Sequence, residues 1–382
     1  MTGDYSSSTH PPLPPTAEDD RLNRLRLLRS RRVGVSTYRR MLAEHGSAAA
    51  ALAALPRVAE AAGVSSYRPC PEQVARAELE AGRRIGARLI VQGDPAWPDA
   101  LDDLPDAPPL LWALGDLSLL SRPLVALVGA RNASSLGTRM AAKLGRDLGA
   151  AGYAVVSGLA RGIDAAAHRA TLDTGTVAVL AGGVDVHYPT ENADLGRQIA
   201  QTGLIVSEQP PGLQPQARHF PARNRIISGL ARAVVVVEAA ARSGSLITAR
   251  NALDQGREVM AVPGHPFDAR AAGCNMLIRD GAILARSAAD VVEALGPIAE
   301  TAPALPLETA AASPPEPAPR SLRDTAALHA QILSRLGPAP VAEDQLIRDL
   351  KVRATEVGPA LVDLELEGAI QRQPGGLLSR VV

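Results

Sequence analysis

The amino-acid sequence predicts a doubly wound α/β domain flanked by two small helical modules. Between residues 86 and 299, six short runs of apolar and β-branched residues alternate with amphipathic helical segments. Such nearly continuous apolar strands, each followed by a helix, are typical of a parallel sheet covered on both faces. Residues 1–20 and 300–320 are instead rich in Pro, Ser, Ala or acidic residues without periodicity, which predicts a disordered tail and a linker.

Residues 21–85 are predicted to form an N-terminal helical domain. Leu25, Leu27 and Leu28 begin one helix, and Ser36 is placed to cap a second helix that ends near Gly46. The stretch RVGVSTYRRMLAEHG resembles a helix-hairpin-helix turn, although a plain helical bundle accounts for the pattern equally well.

Six strands are predicted for the α/β domain, because each run is short, apolar and followed by a turn signal. In chain order they are LVALVG (124–129), YAVVSG (153–158), TVAVLAG (176–182), LIVSE (204–208), AVVVVEA (233–239) and EVMAVPG (258–264).

Residues 321–382 predict three helices and then a two-strand hairpin, AIQRQPGGLLSRVV, with a Pro-Gly-Gly turn. This order of elements indicates a winged helix. The segment carries seven basic and eight acidic residues, whereas helices that read duplex DNA normally carry a surplus of Lys and Arg. We therefore expect this module to contact protein rather than duplex DNA.

Composition excludes several classes of protein. The 382 residues include 40 basic and 40 acidic side chains, so indiscriminate binding to nucleic acid is not expected. Cys70 and Cys274 are the only cysteines, which excludes a disulfide framework and a four-cysteine zinc site. Because neither a secretory leader nor an apolar run of about 18 residues is found, we expect a cytoplasmic protein without membrane contact.

The loops after five of the strands are rich in Gly, Ser and Arg, and ligands of open parallel sheets bind where the strands end. Backbone amides at helix starts and guanidinium groups bind phosphate, and a row of them suits a polyanion better than a single pyrophosphate. Phe220, one of only two Phe, suits stacking with a base of a single strand. Core packing of Phe220 and ordinary turn or ion-pair roles for the other residues are the alternatives. The predicted DNA- or phosphate-binding residues are Gly129, Arg131, Ser134, Gly137, Ser157, Gly158, Arg161, Gly162, Arg218, Phe220, Arg223, Asn224, Ser243, Gly244 and Ser245.

No catalytic residue, metal site or cofactor is predicted. The patterns GxGxxG after a strand, GxxxxGK[ST] and GxSxG are absent, so dinucleotide binding, ATP hydrolysis and serine-hydrolase chemistry lack their usual signal. Asp164 and His168 lie one helical turn apart, and we interpret them as a pair on a solvated helix face rather than as metal ligands. Glu238, at a strand end, is either a general base or a cap for the loop before Ser243.

Eight motifs, in this order, resemble those of the DNA processing protein A family (DprA, also called Smf). They are VGARNASSLG, VSGLARGIDAAAH, AGGVDVHYPTEN, SEQPPG, FPARNRIISGL, VVVEAAARSGSLITA, AVPG and GCNMLIRDGA. The resemblance covers residues 86–299. It implies an extended Rossmann-like domain that binds single-stranded DNA without a cofactor and without catalysis, an N-terminal domain similar to a sterile alpha motif, and a C-terminal winged helix.

The resemblance also implies partners and a process. It implies a homodimer that protects incoming single-stranded DNA and helps load the RecA recombinase during natural transformation, with single-strand binding protein as a further partner. Arg131 matches the family's phosphate-gripping arginine, the SGxARGID loop is present, and Phe220 opens a segment that matches FPxRNRII. Family members often carry a lysine shortly before that phenylalanine, where this chain has Ala217 and Arg218, and Ala130 stands where serine is common.

Two other functions are consistent with parts of the sequence. A nucleotide phosphoribohydrolase-like Rossmann enzyme would share the strand-end Pro-Gly turn, but the PGGxGTxxE pattern of those enzymes is VPGHPFD here. A duplex-binding regulator would use residues 321–382 as its DNA-reading module.

Overall fold

The computed structural model describes residues 17–296 except 103 and 105, and in the C-terminal module residues 322–337, 340–350, 352, 357, 360, 361, 364, 365, 369–373 and 377–380. The chain divides into two compact units between residues 299 and 300. The predicted tail up to residue 16 and the predicted linker 300–320 lie outside the described residues.

A nine-stranded sheet forms the centre of the described part of the first unit. The six predicted strands are confirmed as β3 to β8, and β1, β2 and β9 are additional to the prediction. The strands are β1 (Arg88–Val91), β2 (Leu110–Gly115), β3 (Leu124–Val128), β4 (Ala154–Ser157), β5 (Thr176–Val179), β6 (Leu204–Ser207), β7 (Ala233–Val236), β8 (Glu258–Ala261) and β9 (Ile283–Leu284).

The order of the strands is β1-β2-β6-β5-β4-β3-β7-β8-β9. The seven strands from β6 to β9 in this order are parallel, and β1 and β2 extend the sheet in antiparallel fashion. From β3 the chain winds first toward β6 and then returns to place β7 on the other side of β3. The carboxyl ends of β3 and β7 therefore form the switch point at which doubly wound sheets bind ligands.

Helices cover both faces of the sheet, as the apolar strands require. Val125 and Leu127 of β3 pack on one face with Leu144 and Ile163, whereas the alternate residues of β3 pack on the other face with Ile226 and its neighbours. The helices are α5 (Ser135–Ala150), α6 (Ile163–Ala170), α7 (Ala193–Thr202), α8 (His219–Leu230), α9 (Ser245–Asp254), α10 (Ala272–Arg279) and α11 (Ala288–Leu295), where α1 to α4 belong to the N-terminal domain.

The N-terminal domain consists of four helices in its described part: α1 (Ala17–Arg29), α2 (Val35–His45), α3 (Ala48–Ala61) and α4 (Glu72–Arg84). Residues 17–20 belong to α1 and not to the predicted tail. The prediction that Ser36 caps α2 is wrong, because the helix begins at Val35 behind the extended backbone of Gly34. Its predicted end is confirmed at Gly46, which adopts a left-handed conformation with φ of 72°.

This helical domain packs on the α/β domain through α1 and α4. Leu22 and Leu25 of α1 share a core with Trp112 of β2. Arg29 donates hydrogen bonds of 2.9 and 2.8 Å to the carboxylate of Glu78, which also accepts one of 3.0 Å from the indole of Trp112. These contacts join the helices of the N-terminal domain to the central sheet. The predicted domain boundary between residues 85 and 86 stays a prediction.

The second unit has the predicted helix-and-hairpin order in its described residues. It comprises α12 (Leu322–Arg335), α13 (Glu343–Leu350) and a three-stranded sheet in the order β10 (Val341–Ala342), β12 (Leu377–Arg380), β11 (Ile370–Gln373). Residues 357, 360, 361, 364 and 365 are helical and belong to the third predicted helix, the rest of which lies outside the described residues. The winged helix is confirmed.

Candidate functional site

A cavity of about 600 Å³ opens at the switch point of the sheet. Its walls come from the loops after β3, β7 and β8 and from the first turns of α8. A second cavity of about 200 Å³ lies at the loops after β4 and β5, and Arg131, Phe220 and Arg223 line both cavities. We call this edge of the sheet, from Tyr188 after β5 to Arg270 after β8, the rim. The predicted loops therefore meet at one place.

The amide end of α5 is occupied by a carboxylate of the protein itself. Glu238, after β7, accepts hydrogen bonds from the backbone N–H and the hydroxyl of Ser134 at 2.9 and 2.5 Å. The Ser134 hydroxyl in turn accepts one of 2.9 Å from the backbone N–H of Gly137. The polar groups of Ser134 and Gly137, which the sequence predicts to hold a phosphate, are therefore already satisfied within the protein. Glu238 caps this loop rather than the loop before Ser243.

Three buried polar side chains hold the loop between β4 and α6. Asp164 accepts hydrogen bonds from two backbone N–H groups of the loop, that of Gly158 at 3.1 Å and that of Ala160 at 3.3 Å. The backbone N–H of Leu159 donates to His168 Nε2 at 3.3 Å, and its carbonyl accepts from Asn192 at 3.0 Å. Leu159 is thereby fixed at a φ of 55°, a left-handed conformation that is unusual for leucine.

The burial of Asp164 and His168 corrects their predicted position on a solvated helix face: they are 6% and 0% exposed. Burial lowers the pKa of His168 to about 3, so the imidazole is neutral near pH 7 and can accept a hydrogen bond. Burial raises the pKa of Asp164, and the nearby Arg223 guanidinium opposes that rise. Both side chains are structural supports of the loop.

Two glycines allow the loops after β3 and β4 to approach each other. Gly162 has a φ of 75°, and a Cβ on it would press on the backbone carbonyl of Ala130. A Cβ on Gly129 would lie 2.6 Å from Ile163. The close approach fixes the backbone beside Arg161, whose exposed guanidinium lies 3.7 Å from Glu191.

Ser157 and Arg223, which the sequence predicts to bind DNA or phosphate, are both buried. The hydroxyl of Ser157 is 0% exposed and donates to the carbonyl of Leu127 at 2.6 Å. Arg223 is 7% exposed, and one guanidinium nitrogen donates to the carbonyls of Gly158, at 2.6 Å, and Val179. Burial lowers the pKa of Arg223 to about 10, so it still carries its charge near pH 7. It supports the wall of both cavities from behind.

Three side chains stack at the centre of the rim. The guanidinium of Arg131 lies over the ring of Phe220, 5.5 Å from its centroid. The ring of Tyr188 lies on Phe220 with centroids 5.7 Å apart and planes inclined by 51°. Arg131 and Tyr188 are exposed and Phe220 is half-buried. Arg131 has no ion pair with any residue that the structure describes, so its charge faces the cavity.

The loop between β7 and α9 brings hydroxyl groups to the opposite wall. The hydroxyls of Ser243 and Ser245 lie 2.7 Å apart. Ser245 is 9% exposed, whereas the position at Gly244 is open, with nothing within 4 Å of where its Cβ would be. The loop can therefore present hydroxyl and backbone groups to a ligand beside the exposed Arg242.

The remaining predicted residues, Arg218 and Asn224, lie at the margin of the rim. Arg218 is exposed and its Nε lies 3.4 Å from His219 Nε2, while Asn224 is half-buried in the cavity wall. Arg242 and Arg270 also line the cavity; sequence reasoning placed Arg242 in an anion-binding loop without naming it a site residue, and it missed Arg270. Their signal was available, because each follows the carboxyl end of a predicted strand.

Within the described ranges, no group of three or more His, Cys, Asp or Glu is arranged to hold a metal ion. None of the helices described is long and apolar enough to cross a membrane. The arrangement supplies guanidinium groups, hydroxyls and an accessible ring pair along one edge. It can bind an elongated anion that also carries flat apolar groups.

Three family models match the chain. DNA recombination-mediator protein A matches residues 88–296, a DprA-like N-terminal HHH domain matches 18–81, and a DprA winged helix domain matches 316–376. The chain is 35% identical to Protein Smf of Synechocystis over 322 residues, which is 78% of this chain and 81% of that protein. It is 47% identical over 201 residues to DNA processing protein DprA of Streptococcus pneumoniae, covering 52% of this chain and 71% of the relative.

Two solved structures are similar to the chain. DNA processing protein A of Streptococcus pneumoniae has a TM-score of 0.55 and 42% identity, covering 58% of this chain and 77% of that one. DNA processing protein A of Helicobacter pylori, described for its unique single-stranded DNA binding mode, has a TM-score of 0.51 and 30% identity, covering 55% and 95%.

Proposed function

The chain belongs to the DNA recombination-mediator protein A family, and on that premise we propose that it binds single-stranded DNA along the rim. The similar protein of Helicobacter pylori is described as binding single-stranded DNA. The observation that carries the proposal is the stack of Arg131 on Phe220 at the mouth of the cavity. It places a charge for a phosphate next to a ring for a base.

The proposed contacts differ in kind. Arg131, Arg161 and Arg218 reach solvent and are proposed to bind phosphates, and Phe220 is proposed to stack with an unpaired base. Asn224, Ser243, Gly244 and Ser245 line the cavity and are proposed to contact the backbone of the strand. Gly129, Gly158, Gly162 and Arg223 are proposed to shape the wall from behind.

A single strand suits this site better than a duplex. The rings of a duplex are stacked on each other and hidden from Phe220, whereas an unpaired strand can place a base on an aromatic face. The winged helix carries one more acidic than basic residue, which does not favour duplex recognition by this module, because helices that bind duplex DNA need lysine and arginine. For this module we propose a contact with protein.

The proposal does not include catalysis. Asp164 and Glu238 accept hydrogen bonds from loop backbone groups, and the hydroxyl beside Glu238, that of Ser134, is itself hydrogen-bonded within the protein. A phosphoribohydrolase-like activity is not favoured, because the turn VPGHPFD lacks the glycine and the glutamate of the PGGxGTxxE pattern. Cofactor-free binding is therefore the activity we assign.

We further propose the setting implied by the family. The chain acts as a homodimer in the cytoplasm, protects incoming single-stranded DNA and helps load RecA during natural transformation, with single-strand binding protein as a further partner in that process. Membership of the family supports this setting.

Titration of the purified full-length chain with labelled single- and double-stranded oligonucleotides at two salt concentrations tests the proposed function. We expect tighter binding to the single strand, at affinities that fall as salt rises. Equal or stronger binding to the duplex would overturn the proposal. Incubation with nucleoside monophosphates, followed by product analysis, tests the enzymatic alternative.

A further inference from the structure

Phe267, in the loop after β8, is the most exposed large apolar side chain among the described residues, with 95% of its surface accessible. Its only close ring neighbour there is His265, with centroids 5.6 Å apart and planes inclined by 34°. The chain has two phenylalanines, and the other, Phe220, lies at the centre of the rim. Both are thus paired with another ring at the same edge of the sheet.

The loop that carries Phe267 is held in place by its own hydrogen bonds. Asn275 of α10 exchanges two hydrogen bonds with the backbone of Gly264, at 3.1 and 3.0 Å. The backbone N–H of Asp268 donates to the carbonyl of His265 at 2.9 Å, and its side chain accepts from Arg270 at 3.1 Å. These hydrogen bonds therefore hold the loop backbone that carries Phe267 in a defined position.

The position of this loop continues the proposed binding path. Arg270 belongs to the loop and also lines the main cavity together with Arg131. Strand β8 is separated from β3 by β7 alone, so the ends of β3 and β8 are two strand spacings, about 10 Å, apart. A strand that leaves the cavity past Arg270 reaches the His265 and Phe267 rings next.

We propose that Phe267, supported by His265, is a second base-stacking platform at the β8 end of the rim. This inference rests on the proposed binding of single-stranded DNA. Base–aromatic stacking needs one accessible flat face and tolerates any base, which a fully exposed phenylalanine in a fixed loop provides. Arg270 beside it is paired with Asp268 and also lines the cavity, where its guanidinium can contact the intervening phosphate.

A base is a better occupant than a protein surface. Protein contacts are built on contiguous apolar patches, whereas in this loop the apolar Pro266 and Ala269 are interspersed with the polar or charged His265, Asp268 and Arg270. The cationic groups on the cavity side match a phosphate chain, and the Phe267 ring with its His265 neighbour offers a stacking surface.

Substituting Phe267→Trp turns the site into a reporter. The native indoles of Trp97 and Trp112 are buried, 6% and 1% exposed, so they contribute a steady background. We expect oligo-dT to quench the fluorescence of the new indole. The matched control is Leu253→Trp, at a side chain that is 60% exposed near the end of α9 away from the rim, where no quenching is expected.

Affinity measurements separate stacking from other contacts. With oligo-dT of about 4 to 16 nucleotides, Phe267→Ala should weaken binding about five- to tenfold for the longer strands and leave the shortest unaffected. Phe267→Tyr should keep the affinity, whereas Phe267→Leu, which is apolar but has no ring face, should behave like alanine. Because the side chain is exposed, all these variants should fold.

Wild-type-like affinity of Phe267→Ala at every length, while Arg131→Ala binds weakly, would overturn this inference and leave the proposed function standing. Failure of the unmodified chain to bind oligo-dT would instead overturn the proposed function. A fluorescence change of Phe267→Trp on adding RecA or on raising the protein concentration, without one on adding DNA, would identify a protein contact and overturn the platform.

Discussion

Replacing Arg131 by alanine removes an exposed cation and leaves the surrounding fold intact. The guanidinium makes no ion pair with the described residues and contacts the Phe220 ring at 5.5 Å. Exposed substitutions of this kind change the free energy of unfolding by less than about 0.5 kcal/mol. Any change in DNA binding therefore reports the lost contact rather than damage to the protein.

The expected size of the effect follows from one phosphate contact. A charge-assisted hydrogen bond contributes about 1.5 to 3 kcal/mol, and the solvent exposure of Arg131 places it at the lower end, which is about tenfold in affinity. One phosphate contact on a single strand contributes about 0.7 to the slope of log affinity against log salt concentration. Arg131→Ala should make that slope shallower by this amount.

The assay is a titration with oligo-dT by fluorescence anisotropy over a series of salt concentrations. Arg131→Lys keeps the charge but not the planar group that lies over Phe220, so it should keep the slope and lose part of the affinity. Arg146→Ala removes an equally exposed charge near the far end of α5 and should change neither quantity. An unchanged slope for Arg131→Ala, or an equal loss for Arg146→Ala, would show that Arg131 makes no specific phosphate contact.

Three further predictions concern the supports of the rim. Because burial lowers the pKa of His168 to about 3, the unfolded chain binds a proton below about pH 6.5 that the folded chain does not, so stability falls by about 1.4 kcal/mol per pH unit as pH drops from about 6 to 4. In urea unfolding, the His168→Gln variant should therefore lose less stability than the parent protein as the pH falls. The raised pKa of Asp164 has the opposite effect on stability, but it acts in both the variant and the parent. Parallel pH profiles of the two proteins would contradict this prediction. Gly162→Ala should lower the free energy of unfolding by about 2 to 3 kcal/mol, because its φ is 75° and the added Cβ would press on backbone atoms. In the control Gly212→Ala, at a φ of 79° in open space, thermal unfolding should show a loss of about 1 kcal/mol. Equal losses would contradict the role of the close approach between the loops. Glu238→Ala leaves two donors of the β3–α5 loop unpaired and should lower stability by about 1 to 3 kcal/mol and weaken oligo-dT binding, and a variant as stable as the parent would show that the loop does not need this carboxylate.

The strands of the parallel sheet could be predicted from sequence because each signal is local. Runs such as those of β3 and β7 are apolar on both faces and end at a glycine or a polar residue. Strand β2 was not predicted, although it is apolar. Its place in the sheet depends on antiparallel pairing with β6, about 90 residues further along the chain.

The same difference between local signals and long-range contacts applies to the site residues. The position of Arg131 at the rim could be predicted, because it lies three residues after the end of β3. The burial of Arg223 was missed although a signal existed: it shares the spacing of Ile226, Ile227 and Leu230, which is the buried stripe of α8. The pairing of Glu238 with Ser134 spans 104 residues, and no local pattern reveals it.

The inward orientation of Asp164 and His168 could not be deduced from spacing alone. Helix α6 reads IDAAAHRA, and alanines fit either a buried or an exposed face, so the helix shows no clear apolar stripe. Only the packing of α6 against the sheet decides which side is buried.

Binding of single-stranded DNA along the rim can be seen directly in a structure of the chain in complex with oligo-dT. We expect a phosphate within hydrogen-bond distance of the Arg131 guanidinium and a base against the Phe220 ring, with the strand following the rim. A strand bound on another surface, with the two cavities of the rim empty of DNA, would contradict this proposal.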